Sequence, residues 1–464
     1  MSSIRFLGAT GTVTGSRYVF KHNNKNVLID CGLFQGLKEL RLRNWAPFPM
    51  DVGSLDAIIL THAHIDHTGY LPRLVKQGYL GPIYANSATA DLLNIMLMDS
   101  AHLQEEDARY LNKIGATKHK PALPLYDKND AEKALALVKP VSYGVEFDVI
   151  PGVRAKLRDA GHILGSSFVN LYWNNEQGER RKVVFSGDLG RPNQPILKDP
   201  STIYHADYLL VESTYGDRLH EDNNPEKILE TIINETIRKG GSVIIPAFAV
   251  GRTQELLYLL RELEEQERIP QLPVFVDSPL AINATEITLK HIQNQDIDAR
   301  LLHIKGINAF KTKKTTFALT REDSQKINSF KKPCIIISAS GMVTGGRILH
   351  HLKYRLPDSK NTVLFIGYQA EGTRGRAMLE GKEKIKIHGE YIPVKARIEQ
   401  ISGFSAHADY EEILAWLAGF VEPPKTVFIV HGEPSASTSL AEKIKDTFHW
   451  NVLIPNYMQT FKLI

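Results

Sequence analysis

With 464 residues, 43% of them hydrophobic, the chain has room for more than one domain and a sizeable core. Charged residues make up 23% and the net charge is +4, which excludes a long disordered tail and permits an anionic partner without demanding one. Two cysteines, Cys31 and Cys334, exclude a disulfide framework and suit a reducing cytoplasm. The opening stretch has no signal-peptide layout, and no run reaches the about 18 apolar residues of a membrane helix. A soluble, cytoplasmic protein without a membrane partner is expected.

In chain order, Ile4–Leu7, Tyr18–Phe20 and Asn26–Ile29 read as short strands separated by Gly, Asn and Thr. Asp56–Leu60 is a continuous apolar run typical of a buried strand. A long helical pattern spans Ala88–Leu111, and Val169–Trp173 and Lys182–Phe185 are further strands. From about residue 213 the rhythm changes. Helices Pro225–Arg238, Thr253–Glu264 and Arg347–Arg355 alternate with strands Val243–Ile245, Val274–Val276, Cys334–Ile337 and Thr362–Ile366. Such alternation implies a parallel, Rossmann-like sheet. Near residue 396 the pattern of the first half resumes, with strand Ala396–Ile401, helix Tyr410–Ala418 and strand Thr426–Val430. The expected organisation is an outer domain, 1–212 and 396–464, interrupted by an inserted domain, 213–395.

The segment Thr61-His62-Ala63-His64-Ile65-Asp66-His67-Thr68-Gly69 carries four metal-ligand side chains directly after the buried strand. Neutral imidazoles with a carboxylate are what Zn²⁺ binds. His62 and His64 are placed to clamp one ion, Asp66 and His67 a second. Three later residues share one grammar, a strand followed by a glycine-flanked ligand: His162 in Ala160-Gly161-His162, Asp188 in Ser186-Gly187-Asp188, and His431 in Val430-His431-Gly432. Each alone is more often a turn residue. Together they supply the missing ligands, and Asp188, as a carboxylate, is the candidate to bridge both ions. Asp30 ends strand VLID and could hold a ligand histidine through its ring N–H, with a plain turn role as the alternative.

These residues resemble, in order, the motifs of the metallo-β-lactamase superfamily: Asp30, then His62-Ala-His64-Ile-Asp66-His67, His162 and Asp188. Later residues resemble the extra motifs of its β-CASP nucleases: Glu212 ending strand LLVE, His407 in Ser405-Ala406-His407, and His431. The resemblance covers essentially the whole chain, is similar to the compact members consisting of the catalytic core, and departs at no ligand position. It implies an α/β, four-layer αββα sandwich with an inserted Rossmann-like domain. It further implies a ribonuclease that hydrolyses phosphodiester bonds to 5′-phosphate and 3′-hydroxyl ends. A hydroxide bridging two Zn²⁺ per chain would attack phosphorus, with Mn²⁺ as a substitute metal. His62, His64, His162 and Asp188 would form one metal site; Asp66, His67, Asp188 and His431 would form the other. His407, held by Glu212, would be the general acid.

Asp409 and Glu412 have capping-box spacing, which places His407 at a helix N-terminus, a setting for anions near Ser405 and Ala406. In the insert, three strands each run into a glycine loop that carries arginine. The residues are Phe248-Ala249-Val250-Gly251-Arg252, then Ser340, Gly341 and Arg347, then Tyr368 to Arg374 and Arg376. Parallel strands would bring these loops to one edge, where backbone N–H groups and guanidiniums suit phosphates. The runs Lys118-His119-Lys120 and Lys311-Thr312-Lys313-Lys314 read as solvated faces. Single-stranded RNA is the favoured partner, and a homodimer is allowed for. The alternatives are another hydrolase of the same fold, a DNA nuclease or a thioesterase, although a thioesterase needs neither the insert nor His407. Endonucleolytic and 5′-exonucleolytic cutting both stay open.

Overall fold

The computed structural model describes residues 2–115, 119–220, 224–367 and 369–464. Lys118 of the first lysine run and Tyr368 of the third glycine loop lie outside the described residues. The chain divides into two compact units: Met1–Gln194, Lys198–Leu219 and His407–Ile464 form one, Pro195–Leu197 and His220–Ala406 the other.

The first unit is built on two seven-stranded sheets. In one, Thr460–Leu463, Ser2–Phe6, Tyr18–His22, Lys25–Ile29, Ala57–Ile59, Ile83–Asn86 and Val138–Val141 lie side by side. In the other the order is Val452–Leu453, Thr426–Val430, Tyr208–Glu212, Arg180–Phe185, Ser167–Asn174, Val153–Asp159, Glu146–Ile150. Side chains alternate across a strand, so every buried strand needs apolar residues on both faces or a partner layer for each. Ile4, Phe6, Phe20, Val27 and Ile29 of the first sheet pack against Val169, Leu171, Val183, Phe185, Leu210 and Phe428 of the second. Their alternates face outward: Val19, Leu28 and Ile58 meet Leu71, Leu74, Leu93 and Leu97 of two helices. On the far side Leu209, Val211, Val427 and Ile429 meet Ile413, Leu417, Leu440 and Ile444. Three cores between four layers make the expected αββα sandwich.

Strands Lys25–Ile29, Ala57–Ile59 and Ile83–Asn86 run parallel, as do Arg180–Phe185, Tyr208–Glu212 and Thr426–Val430. Parallel neighbours bring their carboxyl ends, and whatever residue follows, to one edge of each sheet. Asp30, His62, Asp188, Glu212 and His431 all stand at such ends.

The second unit is a six-stranded, all-parallel sheet in the order Thr315–Phe317, Val274–Val276, Ile335–Ser338, Val243–Pro246, Thr362–Phe365, Arg397–Gln400. Ile245, Val276 and Ile337 pack on Ile232, Ile233, Leu256 and Leu260 on one face. Ile244, Val363 and Phe365 pack on Ile348, Leu352 and Met378 on the other. The strand expected to restart the outer domain at residue 396 belongs to this sheet instead: Arg397–Gln400 pairs in parallel with Thr362–Phe365. The chain re-enters the first unit at His407 and leaves it after Leu219, not at 395/396 and 212/213. A backbone pairing of this kind leaves no mark in local composition. A hairpin, Lys384–Ile387 with Glu390–Pro393, completes this unit.

Candidate metal centre

Strand Ala57–Ile59 is buried on both faces and ends in Leu60-Thr61, after which the backbone turns into a four-residue helix, Ile65–Thr68. That turn gathers the histidines. His62 Nε2 lies 3.1 Å from His64 Nδ1, and His162 Nε2 lies 3.3 Å from the same atom. Asp188 Oδ2 is 3.4 Å from His62 Nε2 and 3.5 Å from His162 Nε2. Ligand atoms bonded at 2.0–2.1 Å around a tetrahedral Zn²⁺ stand roughly 3.3 Å apart. The four measured edges therefore match such a shell.

A second cluster adjoins it. His67 Nε2 is 3.2 Å from His431 Nε2, and His431 Nε2 is 3.5 Å from Asp66 Oδ2. Asp188 Oδ1 is 3.1 Å from His67 Nε2 and 3.6 Å from His431 Nδ1. One carboxylate thus turns one oxygen to each cluster. The donors His62, His64, His162 and Asp188, and likewise Asp66, His67 and His431, fit metal ions in both spacing and chemistry.

Electrostatics point the same way at His62 and His64, whereas at His67 burial is outweighed by Asp188 and Asp30, which raise the imidazole well above its ordinary range, so a metal there would have to displace a proton. Burial, reinforced by the neighbouring His67, holds the His62 imidazole well below its ordinary range. Burial likewise pushes His64 down to about 4. Both are therefore neutral at physiological pH, as metal ligands must be. Burial would raise Asp188, but His431, His67 and His62 outweigh it and hold its carboxyl well below the usual range. Asp30, wholly buried, accepts the Nδ1–H of His67 at 2.7 Å, and this fixes the tautomer that leaves Nε2 facing Asp188 and His431.

His407 stands across from the first cluster. Its ring lies 4.6 Å from that of His162, and its Nδ1 donates to both oxygens of Glu212 at 3.0 and 3.1 Å. Glu212 is fully buried and also accepts backbone N–H groups of Leu189 (2.6 Å) and Thr214 (3.3 Å). Burial opposes the charged imidazole, but Glu212 prevails and raises His407 to about 9. The capping box is present: Glu412 N–H donates to Asp409 Oδ1 and Asp409 N–H to Glu412 Oε2, both at 3.0 Å, at the start of helix Tyr410–Leu417.

Hydroxyls between these groups have no counterpart among the residues expected from sequence. Thr61 Oγ1 donates to Asp30 Oδ2 at 2.9 Å and its N–H to Oδ1 at 2.7 Å. Thr214 Oγ1 is 3.2 Å from His431 Nδ1, and Ser16 Oγ is 3.4 Å from His67 Nε2. The available signal for Thr61 is its position, one residue before His62 at the end of a buried strand.

The glycine loops of the second unit share an edge as expected, since Val243–Pro246, Ile335–Ser338 and Thr362–Phe365 are parallel, with the first between the other two. They touch: Gln369 Nε2 donates to Gly341 O at 3.1 Å, and a β-carbon on Gly341 would meet Phe248 Cδ2 at 2.8 Å. Their arginines, however, are engaged by the protein itself. Arg252 is buried against Glu255 and the Phe404 carbonyl. Arg347 donates to Asp277 Oδ1 (2.7 Å), Ala318 O (3.1 Å) and Leu319 O (2.9 Å). Arg374 donates to the carbonyls of Lys386 (2.8 Å), Val343 (3.2 Å) and Thr344 (3.1 Å). Only Arg376 of the four is half-exposed, paired with Glu380 at 2.7 Å. Ala249, Val250, Ser405 and Ala406 are buried, Gly251 takes a positive φ of 84° just before helix Arg252–Glu265, and Ser340 Oγ accepts the Thr344 N–H at 3.0 Å. These features close the loops on themselves.

Comparison with known proteins agrees with this geometry. The family model of the metallo-β-lactamase superfamily matches residues 10–222, that of the β-CASP domain 253–378, and that of the Zn-dependent metallo-hydrolase RNA specificity domain 391–455. Ribonuclease TTHA0252 of Thermus thermophilus is 37% identical over 437 residues, 94% of each chain. Transcription termination factor FttA of Methanocaldococcus jannaschii is 30% identical over 99% of this chain and 71% of its own length. The same factor from Methanosarcina mazei is 31% identical over 94% and 68%. A crystal structure of a protein of unknown function from Enterococcus faecalis V583 superposes over the whole of both chains, with a TM-score of 0.53 at 12% identity, which is a likeness of fold alone. With its αββα sandwich, inserted parallel sheet and clustered His/Asp donors, the chain belongs to the β-CASP family of metallo-β-lactamase-superfamily hydrolases.

Proposed function

We infer that this chain is a zinc-dependent ribonuclease that hydrolyses phosphodiester bonds and leaves 5′-phosphate and 3′-hydroxyl ends. The observation that carries the reading is Asp188, whose two oxygens face two separate donor clusters, 3.4 Å from His62 Nε2 and 3.1 Å from His67 Nε2. His62, His64, His162 and Asp188 would hold one ion, and Asp66, His67, Asp188 and His431 a second. Imidazole with carboxylate suits Zn²⁺, with Mn²⁺ able to substitute. Bound ions there would supply an activated water and neutralise charge on the phosphate oxygens. Every other part falls to the protein. Asp30 and Thr61 keep His67 in one orientation. Glu212 keeps the His407 imidazole charged and aimed, so that His407 can give its proton to the leaving 3′ oxygen.

The family model for an RNA specificity domain and the ribonuclease relative support RNA as substrate. A single strand suits a centre whose donors are buried, because an unpaired backbone can bring its phosphate inward. Both cysteines are free and buried, which suits the reducing cytoplasm we assign as its setting. Among the described residues no helix is long and apolar enough to cross a membrane. The test is digestion of end-labelled single-stranded RNA beside single-stranded DNA and a thioester, each with and without chelator. Chelator-sensitive RNA cleavage to 5′-phosphate products supports the reading. Hydrolysis of DNA or thioester alone replaces it with the corresponding hydrolase.

A further inference from the structure

One stretch of the first unit lacks a packing reason for its sequence. Asn44, itself buried, accepts the Phe34 N–H on Oδ1 at 3.0 Å and donates Nδ2–H to Phe34 O at 2.7 Å. Residues 35–43 therefore leave and return at one point, in the manner of an Ω-loop. Within them lies helix Lys38–Arg43, none of whose residues is buried. A helix so short owes its stability in water to packing. Here Leu40 is partly buried, whereas Leu42 is 56% and the adjoining Trp45 52% exposed. The same stretch carries Lys38, Arg41 and Arg43 against one acid, Glu39. Among the described residues no carboxylate stands within ion-pair distance of the three cations, whereas Arg252, Arg347 and Arg397 all have one. The Arg43 guanidinium lies 4.4 Å over the ring of Tyr457, which is also partly exposed.

The loop is rooted on the metal-binding turn. Leu33 N–H donates to Ile65 O at 3.0 Å, Gln35 N–H to Thr14 Oγ1 at 3.2 Å, and Arg17 bonds both Gly32 O (2.6 Å) and Asn44 Oδ1 (3.4 Å). It thus emerges from the sheet edge that gathers the donor clusters. We propose that this loop is a docking strip for the RNA strand, with bases stacking on Trp45 and on the Arg43–Tyr457 pair and phosphates meeting Lys38 and Arg41. Unpaired cations interleaved with exposed aromatics are what a single strand requires. A second copy of the chain does not fit, since apposed loops would set Lys38, Arg41 and Arg43 against the same three cations. The proposal rests on the ribonuclease reading and deepens it.

The test is titration of zinc-loaded protein with a phosphorothioate RNA of roughly 12 nucleotides, a length within the usual single-strand site size. RNA quenches the tryptophan fluorescence of the wild type. Trp45→Phe keeps affinity within a few-fold but loses most of the quenching, because Trp173 is buried and Trp416 and Trp450 are partly buried in the core. Trp45→Ala binds roughly 5- to 100-fold more weakly, with metal content and melting temperature retained. Arg41→Ala reduces the salt slope of binding by about one. If the wild type binds RNA and Trp45→Ala binds equally well, the strip is not a docking site. If Trp45→Ala converts a dimer to a monomer in sedimentation, the loop is an interface between copies and the proposal fails. If the wild type binds no RNA, the ribonuclease reading fails and takes this inference with it.

Discussion

Gly32 and Asp66 are packed backbone against backbone: a β-carbon on Gly32 would lie 1.6 Å from the Asp66 carbonyl oxygen. The carbonyls of the metal-binding turn are held one by one from that side. Leu33 N–H bonds Ile65 O (3.0 Å), Ser16 N–H bonds Asp66 O (2.9 Å), and Cys31 N–H bonds His67 O (2.7 Å). Arg17, buried, clamps Gly32 O from behind with two hydrogen bonds of 2.9 and 2.6 Å.

Gly32→Ala must therefore displace the backbone that carries Asp66 and His67. The expected outcome is a loss of about 1–3 kcal/mol or more, as for overpacked cores, together with a loss of bound metal. Thermal unfolding and elemental analysis measure the two. Gly345→Ala is the control, since its β-carbon would meet nothing within 4 Å. Equal behaviour of the two variants would show that the close approach relaxes freely.

His64→Ala removes a proposed direct ligand whose Nδ1 lies 3.1 and 3.3 Å from two neighbouring imidazole nitrogens. Wild-type protein is expected to carry two ions per chain, and the variant to lose metal along with activity. Active wild-type protein holding only traces of transition metal would defeat the two-ion reading.

His407→Ala is expected to keep its metal and still bind RNA, while turnover falls by roughly 10²–10⁴. Glu212→Gln gives a milder form, because its carboxylate both holds Nδ1 at 3.0 Å and favours the charged ring. The double variant is little worse than His407→Ala alone, as coupled groups are not additive. A substrate with a 3′-phosphorothiolate leaving group needs little protonation and rescues His407→Ala but not His64→Ala. Metal loss in His407→Ala, or no rescue, would move His407 out of the acid role.

Arg252 and Arg376 hold equivalent places in the sequence of their loops, and the structure separates them. Arg252 is buried against Glu255 and Phe404 O, so Arg252→Ala breaks a buried ion pair and should cost about 3–5 kcal/mol of stability. Arg376 is half-exposed, and Arg376→Ala should leave the melting temperature nearly unchanged. Only in the second variant is a rise in KM attributable to a lost phosphate contact. An unchanged KM there makes this loop a turn only.

Asp159 supplies a pH test outside the metal centre. Burial raises its carboxyl to about 7, against the opposing pull of the Gly161 N–H and Lys198. A raised carboxyl contributes stability that is whole below its unfolded value of about 4 and is lost as pH rises through about 7. Wild type should therefore lose stability relative to Asp159→Asn between about pH 4.5 and 7.5, by about 2–4 kcal/mol. Denaturant unfolding of both proteins at the two pH values reads the difference. A constant gap between them would mean Asp159 titrates normally.

The features legible in the chain alone lie mostly within short stretches of it. His62, His64, Asp66 and His67 are nearly contiguous, and a strand followed by a tight turn leaves few ways to arrange them. His162, Asp188 and His431 are legible because each follows the same strand-to-loop pattern, and the capping box at Asp409 and Glu412 spans a single helical turn. The alternation of strands and helices likewise announces a parallel sheet. Whatever depends on partners far apart in sequence emerges only on folding. Arg397–Gln400 pairs with Thr362–Phe365, and this moves the border of the insert. Arg347 takes the carboxylate of Asp277 and Arg374 the carbonyl of Lys386, partners that lie far off or carry no mark in the local sequence. The two oxygens of Asp188 turn toward different clusters. The physical reason is that these partners are brought together by packing: a donor in a folded protein is satisfied by whichever acceptor packing brings nearest, and the orientation of a buried carboxylate is likewise set by the side chains packed around it.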